Sequence, residues 1–425
     1  MRTSARAQKT LSSSNDFVRY LGRFEHLHWL FSQSGPRAFA FAVEVTGATT
    51  VDQWRTALDA LQLSQPFFSV RIDVDEDKRP YFRQVDDSPI PMRVLDGKFA
   101  ASWEAEMAKE NSTMVSGDHA PLLRTVLIHE AERSIFVITA HHSISDGVSM
   151  AAALCDLVRA LSGEKLERRR MLPSPEDSLN VASKASAVGD PTEKTVTQEI
   201  DRTNFAQGYT EPFTIQSLRL DAALTSRLRE RARIEETTLH GALCSAVIHA
   251  ARITTPAWRQ GMIRLLSPIN ARKQCELDNT SSMCIGAAIL PITFGPDHDL
   301  WSLARHIKSE HAGPVSRAGL TLALQMISDA VADISDVDSA LDFIEPVFAY
   351  QVAVSNIGEV LCASKESAVR ITSMWGPSNL LGFDGEQLIG AVTIHECLHL
   401  LYTAYSPLPY LMKAIQTTLI AMCNE

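Results

Sequence analysis

The chain has 425 residues, 45% apolar and 21% charged, which is the balance of a globular protein long enough for two ordinary domains and a sizeable core. Its formal net charge of −10 disfavours general binding to nucleic acid or anionic membranes, and no nucleic-acid motif is present. No apolar run reaches the roughly 18 residues of a membrane span, and the polar start Met1 to Asn15 lacks the apolar core of a secretory signal. A cytoplasmic location without stable membrane insertion is therefore expected.

Residues 1–16 are expected to form a flexible terminus. Residues 37–46 then read as a strand, Thr50 and Gln53 as a capping box opening a helix to about Leu61, and Phe67 to Val74 as another strand. Leu122 to His129 and Ser134 to Ala140 are β-branched apolar runs separated by Glu130-Ala131-Glu132-Arg133, an antiparallel hairpin. After Gly147, Val148, Ala151, Leu154, Val158 and Leu161 fall at helical spacing, and the helix should stop near Ser162-Gly163. Residues 17–163 thus make an N-terminal lobe.

Residues 164–212, rich in charge, Ser, Thr, Pro and Gly, read as a crossover between lobes. A C-terminal lobe over 213–425 follows. It has helical patterns near 221–233 and 238–251, strand-like runs at 261–267 and 284–293, strands near 388–405 and a closing helix near 408–422. There is no internal repeat. The seven cysteines, at 155, 244, 275, 284, 362, 397 and 423, include no CxxC pair and are expected to be reduced, mostly in the core.

The stretch His141-His142-Ser143-Ile144-Ser145-Asp146-Gly147 sits at the exit of the second hairpin strand and the start of a helix. A strand end delivers an imidazole to a defined point, and a pKa near ~6.5 suits it to proton transfer at neutral pH.

This HHxxxDG string resembles the condensation-domain and CoA-dependent acyltransferase superfamily, with its chloramphenicol acetyltransferase-like fold. Ser267-Pro268-Ile269-Asn270-Ala271-Arg272 is similar to that family's Pro-x-x-x-Arg segment, Cys284-Ile285-Gly286-Ala287 to its Ile-Gly segment, and Ser355-Asn356-Ile357-Gly358 to its Ser-Asn-x-Gly. In order and spacing these matches cover roughly residues 17–425. The resemblance implies an α+β fold of two lobes, mixed sheets flanked by helices, with an active-site tunnel between them.

By the same resemblance His142 is the base that deprotonates an acceptor alcohol or amine as it attacks a thioester carbonyl. Asp146 and Arg272 would form a buried pair holding the turn, because a buried carboxylate needs a cation. Gly147 is either a plain turn glycine or a backbone N–H donor to the oxyanion. Asn356 is either a polar group at the tunnel or a turn asparagine beside Gly358. His141, adjacent to His142 on an extended segment, should face the other way and act as a structural neighbour, with contact to substrate as its alternative. The partners implied are acyl-CoA or an acyl carrier protein, with a small-molecule or carrier-bound acceptor. The thioester is a co-substrate, and no other cofactor is expected. The sequence holds no signal of oligomeric state, and a monomer is the default.

Two departures narrow the resemblance. The DFGWG string of the plant-type acyltransferases is absent, Trp375-Gly376 being only an echo, and the C-terminal aromatic and Arg-Asp signatures of peptide-forming condensation domains are missing. The Leu21-Gly22-Arg23-Phe24-Glu25 opening and Ser355-Asn356-Ile357-Gly358 look more like the free-standing polyketide-associated and alcohol acyltransferases. The alternatives are a stand-alone condensation enzyme joining carrier-bound substrates and a catalytically silent carrier-binding module.

Two other motifs stand in the sequence. His395-Glu396-Cys397-Leu398-His399 matches the letters of the zinc-protease HExxH, yet the alternation of Leu398, Leu400, Tyr402 and Ala404 suits a β-hairpin turning near Glu396, so no metal is expected. Arg168-Arg169-Arg170, with Lys165, is either a phosphate or carrier contact or a solvated run.

Overall fold

The computed structural model describes residues 16–98, 102–181, 213–362 and 367–424; all but Asp16 of the expected flexible terminus, and residues 182–212 of the expected crossover, lie outside them. The first half runs β1 (Phe17–Tyr20), α1 (Arg23–Ser32), β2 (Phe39–Thr46), α2 (Val51–Ser64), β3 (Val70–Val74), β4 (Pro80–Gln84) and β5 (Met92–Asp96). It continues through α3 (Trp103–Asn111), β6 (Leu123–His129), β7 (Arg133–Ala140), α4 (Gly147–Leu161) and α5 (Pro175–Ser178). The capping box forms as expected: Gln53 N–H donates to Thr50 Oγ1 at 3.2 Å and Thr50 N–H to Gln53 Oε1 at 2.8 Å. The strand expected from Phe67 begins later, at Val70, because Pro66 opens a 3₁₀ turn over Pro66–Ser69.

The second half runs β8 (Thr214–Leu220), α6 (Ala222–Ile234), α7 (Leu239–Thr254), β9 (Ile263–Asn270), α8 (Arg272–Cys275), β10 (Ile285–Ile292), α9 (Leu300–Val315), α10 (Arg317–Val331) and α11 (Val337–Phe348). It closes with β11 (Val352–Glu359), β12 (Arg370–Ser378), β13 (Gln387–Ile394), β14 (Cys397–Ala404) and α12 (Leu411–Met422). Two mixed sheets organise the fold. One has the order β12-β2-β7-β6-β5 and the other β10-β9-β11-β13-β14-β8; a small third sheet is β1-β4-β3. Only β5/β6, β11/β13 and β11/β9 pair in parallel among the described strands.

Side-chain alternation explains the layering of the first sheet. Phe39, Phe41, Val43 and Val45 of β2 enter the core shared with α2 and α4, whereas Ala40 and Ala42 face Met107 of α3 on the opposite side. Trp54 of α2 stacks on Phe136 of β7, ring centroids 5.2 Å apart.

The sheet order corrects the lobe boundaries. β12 lies within 213–425, yet it pairs antiparallel with β2 of the first sheet, Trp375 opposite Ala42. The C-terminal lobe is therefore not one contiguous stretch. Pairing with β12 covers what would otherwise be an open strand edge on β2.

A second correction concerns the cysteines. Cys155 of α4 and Cys362, after β11, form a disulfide with Cα atoms 5.2 Å apart, within the usual bridging range. Cys244, Cys275, Cys284, Cys397 and Cys423 are free. The HExxH letters lie where the sequence placed them: β13 and β14 pair in register from Ile394 opposite Cys397, and His395 and Glu396 occupy the turn with φ of 49° and 67°. A hairpin cannot present the two histidines on one helical face. No described helix is long and apolar enough to cross a membrane.

Candidate active site

β7 is buried from Ser134 to Ala140 and held between β2 and β6, so its exit is a fixed point. The chain then makes one 3₁₀ turn, His142–Ile144, before Asp146 caps α4. These three steps send the two histidines in different directions.

His141 turns inward. Its Nδ1 accepts from Ser143 N–H at 3.2 Å, so the ring proton sits on Nε2 and donates to Ser32 Oγ at 2.8 Å. Ser143 Oγ lies 2.6 Å from the same Nδ1. Burial pushes its pKa down to about 3, and the ring is not part of the cavity wall described below. Both of its ring nitrogens are thus engaged by scaffold hydroxyls and an amide.

His142 turns toward the cavity. Its Nδ1 donates to the carbonyl oxygen of Ser145 at 3.0 Å, which leaves the lone pair on Nε2. Nε2 has no hydrogen-bond partner among the described residues. The ring packs against Phe39 (centroids 4.6 Å apart) and His28 (5.0 Å). Burial lowers its pKa below the ordinary 6.5, with backbone carbonyls and the Asp146 charge pulling the other way. A neutral imidazole with an open Nε2 is competent to accept a proton.

Asp146 ties the two halves of the chain together. Its Oδ1 accepts from Ser149 N–H at 3.0 Å, and its Oδ2 from Arg272 Nη1 at 2.5 Å and Cys284 N–H at 2.8 Å. Arg272 completes its own bonding with the carbonyls of Asp278 (3.1 Å) and Ser282 (3.0 Å). Both side chains are buried. Burial pushes the carboxyl up, but the Arg272 charge and the donated hydrogen bonds outweigh it, and the net pKa lies below the ordinary carboxylate value.

Gly147 is the first residue of α4, and a Cβ there would stand 2.7 Å from Ile357 Cγ2. Close approach of β11 to the helix start is therefore what glycine permits here. Gly147 and Val148 both line the cavity, and their amides belong to the first turn that a helix leaves without internal acceptors. Asn356 does two things at once. Its Oδ1 accepts from Gly358 N–H at 3.0 Å, a turn contact, while the residue also lines the cavity beside an irregularity in the β11/β13 register. Gly358, at φ +85°, needs the left-handed freedom of glycine.

The cavity measures about 1170 Å³ counting the open space at its entrance, and both lobes build it. α1, β2 and α4 supply one wall through Phe31, Phe39 and Val148; β9, β10 and β11 supply the other through Pro268, Ile285 and Ser355. The wall is mostly apolar, with few polar groups, which is the character of a small-molecule site. His142, Asp146, Gly147 and Asn356 all contribute to it, and Arg272 stands behind Asp146. His28 and Asn270 were not foreseen as site residues. Asn270 lay inside the Ser267–Arg272 segment, whose signal was there to use; His28 carried none. Of the arginine run, Arg169 pairs with Asp156 at 2.6 Å and steadies α4, while Lys165, Arg168 and Arg170 are exposed.

Known proteins resemble this chain in sequence family and in fold. The family model for the condensation domain matches residues 28–178, and the model for the phthiocerol/phthiodiolone dimycocerosyl transferase C-terminus matches residues 210–374. Through these two matches, each to less than half of the chain, the chain is similar to the condensation-domain and acyltransferase superfamily. Solved members of the superfamily share its fold along nearly the whole chain. Polyketide synthase associated protein 5 from Mycobacterium tuberculosis is 15% identical, with 96% of this chain and 98% of that one covered and a TM-score of 0.68. A trichothecene 15-O-acetyltransferase from Fusarium sporotrichioides is 10% identical, covering 98% and 96% with a TM-score of 0.66. The first condensation domain of the calcium-dependent antibiotic synthetase, with a bound substrate analogue, is 17% identical, covering 96% and 97% with a TM-score of 0.64. No curated protein sequence matches the chain.

Proposed function

We propose that the protein is an acyltransferase that moves an acyl group from a CoA or phosphopantetheine thioester to an alcohol, with amines as the lesser acceptors. The observation that carries this is the open Nε2 of His142, held in one tautomer by the Ser145 carbonyl and facing an apolar cavity at the N-terminus of α4. The acceptor hydroxyl binds with its proton on Nε2. As the oxygen attacks the thioester carbonyl, the proton passes to the imidazole and the carbonyl oxygen becomes an oxyanion. The first-turn amides at Gly147 and Val148, at the positive end of the α4 dipole, suit that charge. Collapse of the tetrahedral species expels the thiolate, which takes the proton back from the imidazolium. Ester and free thiol leave, and His142 returns to its starting state.

Asp146 supports the reaction by fixing the turn, and its charge is balanced by Arg272, so it does not act as an acid. The apolar wall suits the acyl chain of the donor or an apolar acceptor. The reading calls on no cofactor beyond the thioester, and takes the chain to be a cytoplasmic monomer.

Thiol release and intact-mass analysis with acyl-CoA and acyl-carrier donors, against a panel of alcohols and amines, tests it. Wild type should transfer, and folded His142→Ala should lose about a hundred- to ten-thousandfold in rate. Equal rates in the two proteins would remove His142 from the chemistry. A strict need for carrier-bound substrates on both sides would favour a condensation enzyme instead.

A further inference from the structure

α1 presents Phe24, Leu27, His28 and Phe31 to the cavity, an i, i+3, i+4, i+7 stripe in which one member is an imidazole. His28 packs its ring on Phe24, centroids 4.9 Å apart, and on His142, 5.0 Å apart. Neither of its ring nitrogens has a hydrogen-bond partner among the described residues. Of the two histidines that line the cavity, His142 is tied through Nδ1 to the Ser145 carbonyl and His28 is not tied. Its ring is half-buried in the cavity wall, within reach of a molecule bound there. Burial, with His142 and His141 nearby, holds its pKa well below 6.5. At neutral pH it therefore offers one N–H donor and one lone pair, and does not act as a cation.

Resting on the acyl-transfer reading of the same site, we propose that His28 touches the acceptor substrate, hydrogen-bonding a second polar atom that lies beside the attacking hydroxyl. The base occupies the attacking oxygen, so its Nε2 is not available to hold a neighbouring group. His28 stands one ring away from that base, on the same cavity wall, with its own hydrogen-bonding capacity unused. An acceptor with a second hydroxyl next to the nucleophile satisfies both imidazoles at once. A simple alcohol leaves His28 unpaired, which penalises it relative to the two-oxygen acceptor.

The test compares 1,2-dodecanediol with 1-dodecanol as acceptors for wild type and His28→Phe, the phenylalanine keeping the ring packing against Phe24 and His142. Wild type should prefer the diol in kcat/KM by about tenfold, the scale of one hydrogen bond, and His28→Phe should bring the ratio of the diol value to the 1-dodecanol value to about one. A second readout is independent of turnover. In ¹⁵N-histidine-labelled protein, the ring signal assigned to His28 by its loss in His28→Phe should move on adding the diol and stay on adding 1-dodecanol.

Transfer without diol preference, with an unmoved His28 signal, overturns the proposal and leaves the acyl-transfer reading intact. No transfer with a moved signal overturns the acyl-transfer reading and keeps the His28 contact. Neither transfer nor movement counts against both. A fall in rate with both acceptors alike, at unchanged preference, would make His28 only a packing partner of His142 and also overturns the proposal.

Discussion

At the scale of single residues, the buried histidines dictate how the protein responds to acid. His142 has a folded pKa below 6.5, so the base stays neutral through pH 7, and the acid limb of kcat/KM should fall below pH 6.5. A limb centred above pH 7 would contradict the assignment. His141, with a folded pKa of about 3, is held neutral while the unfolded chain takes up its proton near 6.5. The unfolded state then binds more protons between those values, and stability that is complete above pH 6.5 drains away as pH falls, by about 1.4 kcal/mol per unit for such a group. Thermal melts of wild type and His141→Phe from pH 7 to pH 4 check this, the variant's Tm declining less steeply. Asp146 has the opposite sense: its carboxyl is depressed, so its contribution is present above the ordinary carboxylate pKa and is lost as pH drops through the lower folded value. Asp146→Ala leaves Arg272 as an uncompensated buried charge, and should cost about 3 to 5 kcal/mol of stability together with activity. An unchanged Tm with activity lost would give Asp146 a chemical role instead.

At the scale of elements, β11 closely approaches the start of α4. Gly147→Ala places a methyl against Ile357 Cγ2, and should cost about 1 to 3 kcal/mol along with transfer activity. Gly147→Ala combined with Ile357→Ala should recover part of both, as read by Tm and thiol release; no recovery would point to the backbone and away from the contact. The elements that the sequence disclosed are those whose pattern is local. β6, β7 and α4 carry clean two- and 3.6-residue periods, and the histidines at their junction stood out for that reason. α1 did not, because its apolar stripe is interrupted by His26, His28 and Glu25, and Glu25 is buried with its ion pair to Arg19 at 2.7 Å and a hydrogen bond from Gly22 N–H at 2.7 Å. Missing α1 meant missing His28, which meets His142 from the far end of the lobe's sequence. β12 was equally invisible, since its membership of the first sheet depends on β2 alone, a partner distant in the chain.

At the scale of the whole molecule, the two halves of the sequence are bound by contacts that cross between them: Asp146 to Arg272, Cys155 to Cys362, and β12 to β2. Alkylation of the unfolded, unreduced protein should label five of the seven cysteines, and all seven after reduction, with mass spectrometry placing the protected pair at 155 and 362. Seven labels before reduction would remove the bridge. Cys155→Ala should cost about 2 to 4 kcal/mol under oxidising conditions and nothing under reducing ones. The course of β12 also bears on how the protein is made. As the chain leaves the ribosome, β2 through β7 emerge early, but their sheet lacks its last strand until residue 378 has been synthesised. During that interval the nascent first lobe shows a bare, apolar strand edge to the cell, the kind of surface that chaperones cover and that aggregates form upon.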